Sequence, residues 1–230
     1  MGQQGLWILV ELSWVVLGAM YAAMKFAHKH THEKDQPMTR FLTATALTGA
    51  MLTATTAFAE PEKYVLDASH SQVLFSYDHL GYSTTWGMFA GFEGEIMFDQ
   101  EAPANSSVSV SFPARSMFTG WEARFEHFMA DDFFGADENE TVAFTSTGIE
   151  VTGDDTANIT GDLTMNGITK SVVLAAELTQ TGNHPMENKP WAGFNATTTL
   201  LRSDFDMGMF TPAISDEVEV QISIEAMKAE

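Results

Sequence analysis

Ile159-Thr160-Gly161-Asp162-Leu163-Thr164-Met165-Asn166-Gly167-Ile168-Thr169-Lys170 carries the clearest structural signal in the chain. Ile159, Gly161, Leu163 and Met165 share one parity and polar residues take the other, the period-2 pattern of a half-buried strand. Asn166-Gly167 then marks a two-residue type I′ turn, which needs φ > 0 at both central positions. Residues 168–178 read as the returning strand, so the stretch is an antiparallel hairpin.

The same alternation extends in both directions. Val73, Phe75, Tyr77 and His79 share a strand face opposite Ser76 and Asp78. Phe92, Gly94, Ile96 and Phe98 alternate with Glu93, Glu95 and Asp99. Val108, Val110 and Phe112 alternate with serines, and Val142, Phe144 and Ser146 repeat the rule. Phe194, Ala196, Thr198 and Leu200 form one face of a later strand, and Val218, Val220, Ile222 and Ile224 a closing one. One segment departs: Trp121, Phe125, Phe128 and Met129 have helical spacing, with Thr119 or Gly120 to cap the start and Glu122 in the first turn. Evenly spaced strands without an internal repeat predict an all-β fold. The expectation is one eight-stranded antiparallel barrel over residues 60–230, with one or two short helices.

Composition bounds what such a barrel does. The 230-residue chain has no cysteine, which excludes disulfides, thiolate metal sites and a cysteine nucleophile. Its formal charge of −20 repels phosphate backbones and argues against nucleic-acid binding. At 45% hydrophobic and 18% charged residues it is too apolar for a disordered acidic tail.

Two apolar stretches precede the barrel. Residues 5–24 approach the length of a membrane span but contain Glu11, and they end in a flank bearing His28, His30 and His32, which reads as polar rather than as a metal site. From Met38, a short basic start, an apolar run to Thr53 and Ala57-Phe58-Ala59 follow the order of a secretory signal peptide. The expected organisation is residues 1–37 as a mis-start extension or a membrane anchor, 38–59 as the signal peptide, and a periplasmic product beginning at Glu60. That product holds seven basic against 28 acidic side chains.

A small barrel is either filled by its own side chains or hollow around one ligand. The inward sets here suit both. Gly94 and Gly161 tilt toward a cavity, because an inward glycine leaves volume unfilled. No hydrolase, zincin or phosphate-loop motif occurs. His70 and Ser71 point to opposite sides of a strand, so they make a poor catalytic pair. Arg202 continues the parity of Phe194 to Leu200, which puts it inside or at a rim, where it needs an anionic ligand or an acid such as Asp132, Asp204 or Asp206.

The blocks Tyr64-Val65-Leu66-Asp67-Ala68-Ser69-His70-Ser71, His79-Leu80-Gly81, Gly87-x-Phe89, Phe92-x-Gly94, Asp132-Phe133-Phe134, Gly161 to Lys170 and Leu201-Arg202-Ser203-Asp204-Phe205 together resemble the YceI-like family of secreted polyisoprenoid-binding proteins, over residues 62–228. The resemblance implies a lipocalin-like barrel without catalytic residues or metal, holding an isoprenoid lipid such as a polyprenyl phosphate or a quinone, with the membrane as lipid source; a homodimer is left open. The candidate ligand-binding residues are Phe75, Tyr77, His79, Phe92, Gly94, Ile96, Phe98, Phe144, Phe194 and Arg202. A secreted enzyme acting on a hydrophobic substrate, and a filled barrel acting through its surface, are the alternatives. Where the family carries Gly after Ser/Thr-Asp-Phe this chain has Asp206, so a different turn is expected there.

Overall fold

The computed structural model describes residues 60–230. The expected extension and signal peptide, and the His28/His30/His32 flank, lie outside the described residues. Ten strands follow in order: β1 (Glu62–Leu66), β2 (Gln72–His79), β3 (Ser83–Phe89), β4 (Glu93–Phe98), β5 (Ser107–Pro113), β6 (Thr141–Val151), β7 (Thr156–Met165), β8 (Ile168–Asn183), β9 (Pro190–Leu201) and β10 (Glu217–Lys228). β1 and β4 to β10 pair in the order β1-β4-β5-β6-β7-β8-β9-β10, and β1 bonds back to β10. Eight antiparallel strands thus close into a barrel, and the β2–β3 hairpin flanks it.

The seam is where the barrel is irregular. One edge of β10 serves two partners: residues 226–228 pair with β1, and 219–223 pair with β2. β1 and β2 are in effect one strand broken at residues 67–71. β3 then lies outermost, and among the described residues its free edge meets only Phe118, through an isolated bridge from Met88. Residues 114–136 cross the opening left between β3 and β5, tied by the Ala114 N–H to Glu140 O at 2.9 Å and by Phe134 packing on Phe89 with centroids 5.8 Å apart.

Local chemistry explains the regular part. Asn166 and Gly167 have φ of 50° and 67°, as the type I′ reading requires, and Met165 faces Ile168 across the turn. The helical spacing yields one helix, α1 (Glu122–Met129), which buries Met129 and half-buries Phe125 and Phe128. Its capping differs from expectation. Trp121 occupies the N-cap with extended backbone and no side-chain cap, and it is exposed. Thr119 instead closes a local turn, its hydroxyl donating to Trp121 O at 2.8 Å.

The glycine expectation is corrected in both cases. Gly94 has φ of +140°, and a side chain there would run into the backbone of Ser109 and Val110. It is a close-approach glycine between β4 and β5 and opens no lumen volume. At Gly161 the inward space is already filled, because the Phe144 ring lies over it; Phe75 covers Gly87 in the same way. These rings shield bare backbone and stiffen the strands they cross.

Candidate functional site

The inward faces enclose a cavity of about 330 Å³, within the roughly 300–1,000 Å³ of typical ligand pockets. Eight of the ten candidate residues line it: Phe75, Tyr77, Phe92, Ile96, Phe98, Phe144, Phe194 and Arg202. The strand alternation places them there, since residues i and i+2 share a face. Phe98 meets Phe194 edge-on at 5.4 Å across the barrel, and Phe92 contacts Phe112 at 4.7 Å. Gly94 is not part of the lining, for the backbone reason above. His79 also stays outside it, at the end of β2, where it bridges Ile214.

The two ends of the cavity differ. Exposed Gly153, Asp154, Asp155 and Thr156 in the β6–β7 turn, with Ser107, line the far end, so the lumen reaches solvent there. Buried Phe133 and Met207 and half-buried Phe128 fill the helix end. The aromatics from 128–134 are lining residues that strand periodicity does not reveal. Phe128 shows only through its helical spacing, and Phe133 and Phe134 only through the Asp132-Phe133-Phe134 block.

Arg202 sits at the helix end, in a 3₁₀ turn spanning Arg202–Phe205. It makes no ion pair with Asp132, Asp204 or Asp206, contrary to expectation. Asp132 faces His127 at 3.6 Å and Asp204 faces Lys170 at 3.9 Å. The guanidinium instead donates to one loop: Nε to Ser215 O (2.8 Å), Nη1 to Met207 O (2.7 Å) and Met209 O (3.1 Å), and Nη2 to Ile214 O (3.2 Å) and Thr211 Oγ1 (3.3 Å). A guanidinium has five N–H donors, so every one is used. Burial pushes its pKa below the ordinary value, and the negative charge of Asp216 opposes that shift. Asp216 accepts from Ser203 Oγ (2.6 Å) and Ser203 N–H (2.8 Å), bonds that hold its carboxyl below the usual range against burial. Asp206, in the place of the family glycine, has φ of 58° and ψ of 26°. Asp206 thus takes a left-handed conformation of the kind that glycine adopts most readily.

A second group of chemically capable side chains lies at the break between β1 and β2. Asp67, His70 and Glu225 bring one potential metal-ligand atom each within 4.8 Å of one another. Each has a local partner: His70 Nδ1 lies 2.6 Å from Asp67 Oδ2, and Trp191 Nε1 donates to Glu225 Oε2 at 3.0 Å. The hydrogen bond to Asp67 raises the His70 pKa. Ser71 turns away and its hydroxyl lies 3.4 Å from Glu225 O, so His70 and Ser71 do not form a pair.

A closed antiparallel barrel with an apolar lumen defines the class: a hydrophobic-ligand-binding barrel. The profile of the YceI-like domain matches residues 64–226, and the chain belongs to the YceI-like family. It is 40% identical over 167 residues to a UPF0312 protein of Ectopseudomonas mendocina, covering 72% of this chain and 87% of the relative. It is 37% identical to a UPF0312 protein of Pseudomonas paraeruginosa, covering 81% of this chain and 97% of that one. Among solved structures, the Campylobacter jejuni YceI protein is 29% identical with a TM-score of 0.61, over 66% of this chain and 90% of that one. A polyisoprenoid binding domain from Saccharophagus degradans shares the fold at 14% identity, with a TM-score of 0.56, over 72% of this chain and 98% of that one.

Proposed function

We propose that this chain is a non-catalytic binding or carrier protein for a long isoprenoid lipid, exported to the periplasm. The observation that carries the reading is the hollow apolar lumen walled by aromatic and aliphatic side chains. Each buried methylene stabilises a bound tail by about 0.8 kcal/mol, so such a lumen holds a long chain without specific polar contacts. The fold shared with a domain named for polyisoprenoid binding supports the same ligand class.

The Arg202 geometry favours a neutral head group, such as a quinone, over a phosphate. Among the described lining residues Arg202 is the only basic side chain, and its donors are all spent on the 207–215 loop. Asp154 and Asp155 at the open end further disfavour an anion. Organic extraction of the protein purified from the periplasm, followed by mass spectrometry, tests the reading. A stoichiometric isoprenoid with a neutral head is expected. An empty lumen, or a different lipid class, overturns it.

A further inference from the structure

The exposed aromatic residues of the barrel are not scattered. Among the described residues, Tyr82, Trp86, Phe118, Trp121 and Phe210 are the exposed aromatics, and Tyr82 is 90% exposed. All five lie on three segments joined side by side at the helix end. Tyr82 and Trp86 belong to the β2–β3 hairpin. Phe118 and Trp121 belong to the segment that bridges to it at Met88. Phe210 belongs to the loop whose Ala213 O accepts from the Leu80 N–H at 3.1 Å. Exposed Leu80 and Met209 extend the same patch.

This patch covers the least-tied part of the wall. Between β3 and the Phe118 segment there are two backbone hydrogen bonds, Met88 N–H to Phe118 O at 3.1 Å and Phe118 N–H to Met88 O at 2.7 Å. Full ladders join the closed strands elsewhere. Directly behind the seam lie Phe89 and Met117, which line the lumen. The next residues outward, Met88 and Phe118, face away from it.

Charge selects the occupant. Residues 80–88 (Leu80-Gly81-Tyr82-Ser83-Thr84-Thr85-Trp86-Gly87-Met88) and 207–215 carry no ionised side chain, and residues 114–126 balance Arg115 and Arg124 against Glu122 and Glu126. A locally neutral, aromatic surface on a strongly acidic protein does not suit a polyanion or a basic partner. Trp and Tyr rings with one polar edge prefer the headgroup zone of a bilayer. We propose that this aromatic patch docks on a neutral, zwitterionic bilayer surface and sets the β3 seam against the membrane as the passage between lipid and lumen. The proposal rests on the lipid-carrier reading.

Vesicles of phosphatidylcholine brominated near the headgroup end of the acyl chains test it, because bromine there quenches only tryptophans that enter the bilayer interface. Three versions of the full chain are compared, each with Trp7 and Trp14 replaced by Phe. One keeps Trp86 and Trp121 with Trp191→Phe; one keeps Trp191 alone; one adds Phe118→Ser and Tyr82→Ser to the first. Circular dichroism and urea midpoints check that all three fold alike. The first is expected to be quenched and the second not. The third is expected to need about tenfold more lipid per aromatic removed for the same quenching. Quenching absent from the first version, or equal in the first two, overturns the proposal. So does a sedimentation result in which a second copy shields Trp86 and Trp121 from vesicles. Lipid co-purifying with the protein alongside absent quenching sinks the docking surface alone, whereas an empty lumen sinks the carrier reading itself.

Discussion

The wall from β6 to β10 and the wall around β1, β2 and β3 hold together by different means. In the first, each strand has a neighbour on both edges, and registers run over eight to eleven residue pairs, longest between β9 and β10. In the second, β1 and β2 share one edge of β10, and β3 is tied outward at a single bridge. The loop at 206–216 and the 114–136 segment make up the missing wall. A ladder distributes its stabilisation over many equivalent bonds. The irregular wall concentrates it in a few residues, Arg202 foremost. Substitutions should therefore be felt most at single points of the irregular wall.

The largest effect is expected at Arg202. Arg202→Met keeps the aliphatic stem but removes five donors and leaves four carbonyls of one loop without partners. Bonds from a charged donor contribute about 1.5–3 kcal/mol each, and part of the loss is recovered when the loop meets water, so a net cost of about 3–5 kcal/mol is expected. Urea unfolding measures it. A midpoint shift no larger than that of a surface lysine substitution would show that the loop stands without its latch.

Gly94 gives the next effect and separates backbone from lumen. Gly94→Ala forces a side chain into the β5 backbone at a φ that other residues rarely adopt, with an expected cost of about 2 kcal/mol. Bound lipid per folded molecule should be unchanged. Ala196→Phe is the complementary change. Ala196 lines the lumen and pairs with Ala176, so a ring there has a small neighbour beneath it. In a hollow barrel it displaces the guest while stability moves by less than about 1 kcal/mol. Early melting, from a parent that yields no lipid on extraction, would mean that the space is ordinary core.

The regular wall was legible in the sequence because its information is local. Alternation puts Phe75, Ile96, Phe144 and Phe194 inward whatever the neighbouring strand is, and Asn166-Gly167 names its own turn. The irregular wall was not legible in the same way. Nothing in residues 83–89 says that β3 has no full partner, and Thr84-Thr85-Trp86 lacks a clean alternation. Parity correctly brought Arg202 to the lumen rim, but its partners are backbone carbonyls 5–13 residues on, and carbonyls carry no sequence signal. Charge bookkeeping pointed to Asp132, Asp204 and Asp206, because only side chains can be counted in a sequence. The glycines misled for a related reason: whether Gly161 leaves a void depends on the Phe144 rotamer from another strand.

A pH titration sharpens the comparison at a smaller scale. The Asp216 carboxyl is held below its ordinary value by Ser203 and, less strongly, by Arg202. A group with a depressed native pKa contributes stability that is fully present above its unfolded pKa, about 3.9, and is lost as pH falls through the native value. Stability of the native chain should therefore decline from about pH 4 downward more steeply than that of Asp216→Asn. Parallel acid limbs for the two proteins would remove Asp216 from the latch.

The smallest effect is expected at Asp206, where a short polar side chain sits in a left-handed turn. Its N–H closes the 3₁₀ turn onto Arg202 O and Ser203 O, so the φ of 58° is required by the turn that aims Arg202 at its loop. Asp tolerates that region better than most residues but less well than Gly. Asp206 is exposed, and the tight turn leaves its carboxylate without an ion-pair partner among the described residues. Asp206→Gly removes the strain in the native state, while the added freedom of the unfolded chain offsets part of the gain. A net stabilisation of about 0.5 kcal/mol is expected, read as a small rise in the urea midpoint with an unchanged slope. Asp206→Val should move the other way and by more, since a β-branched residue is least at ease at positive φ. If both variants shifted stability in the same direction, the left-handed geometry would not be what sets the cost at this position, and the turn would owe its form to the Arg202 latch alone.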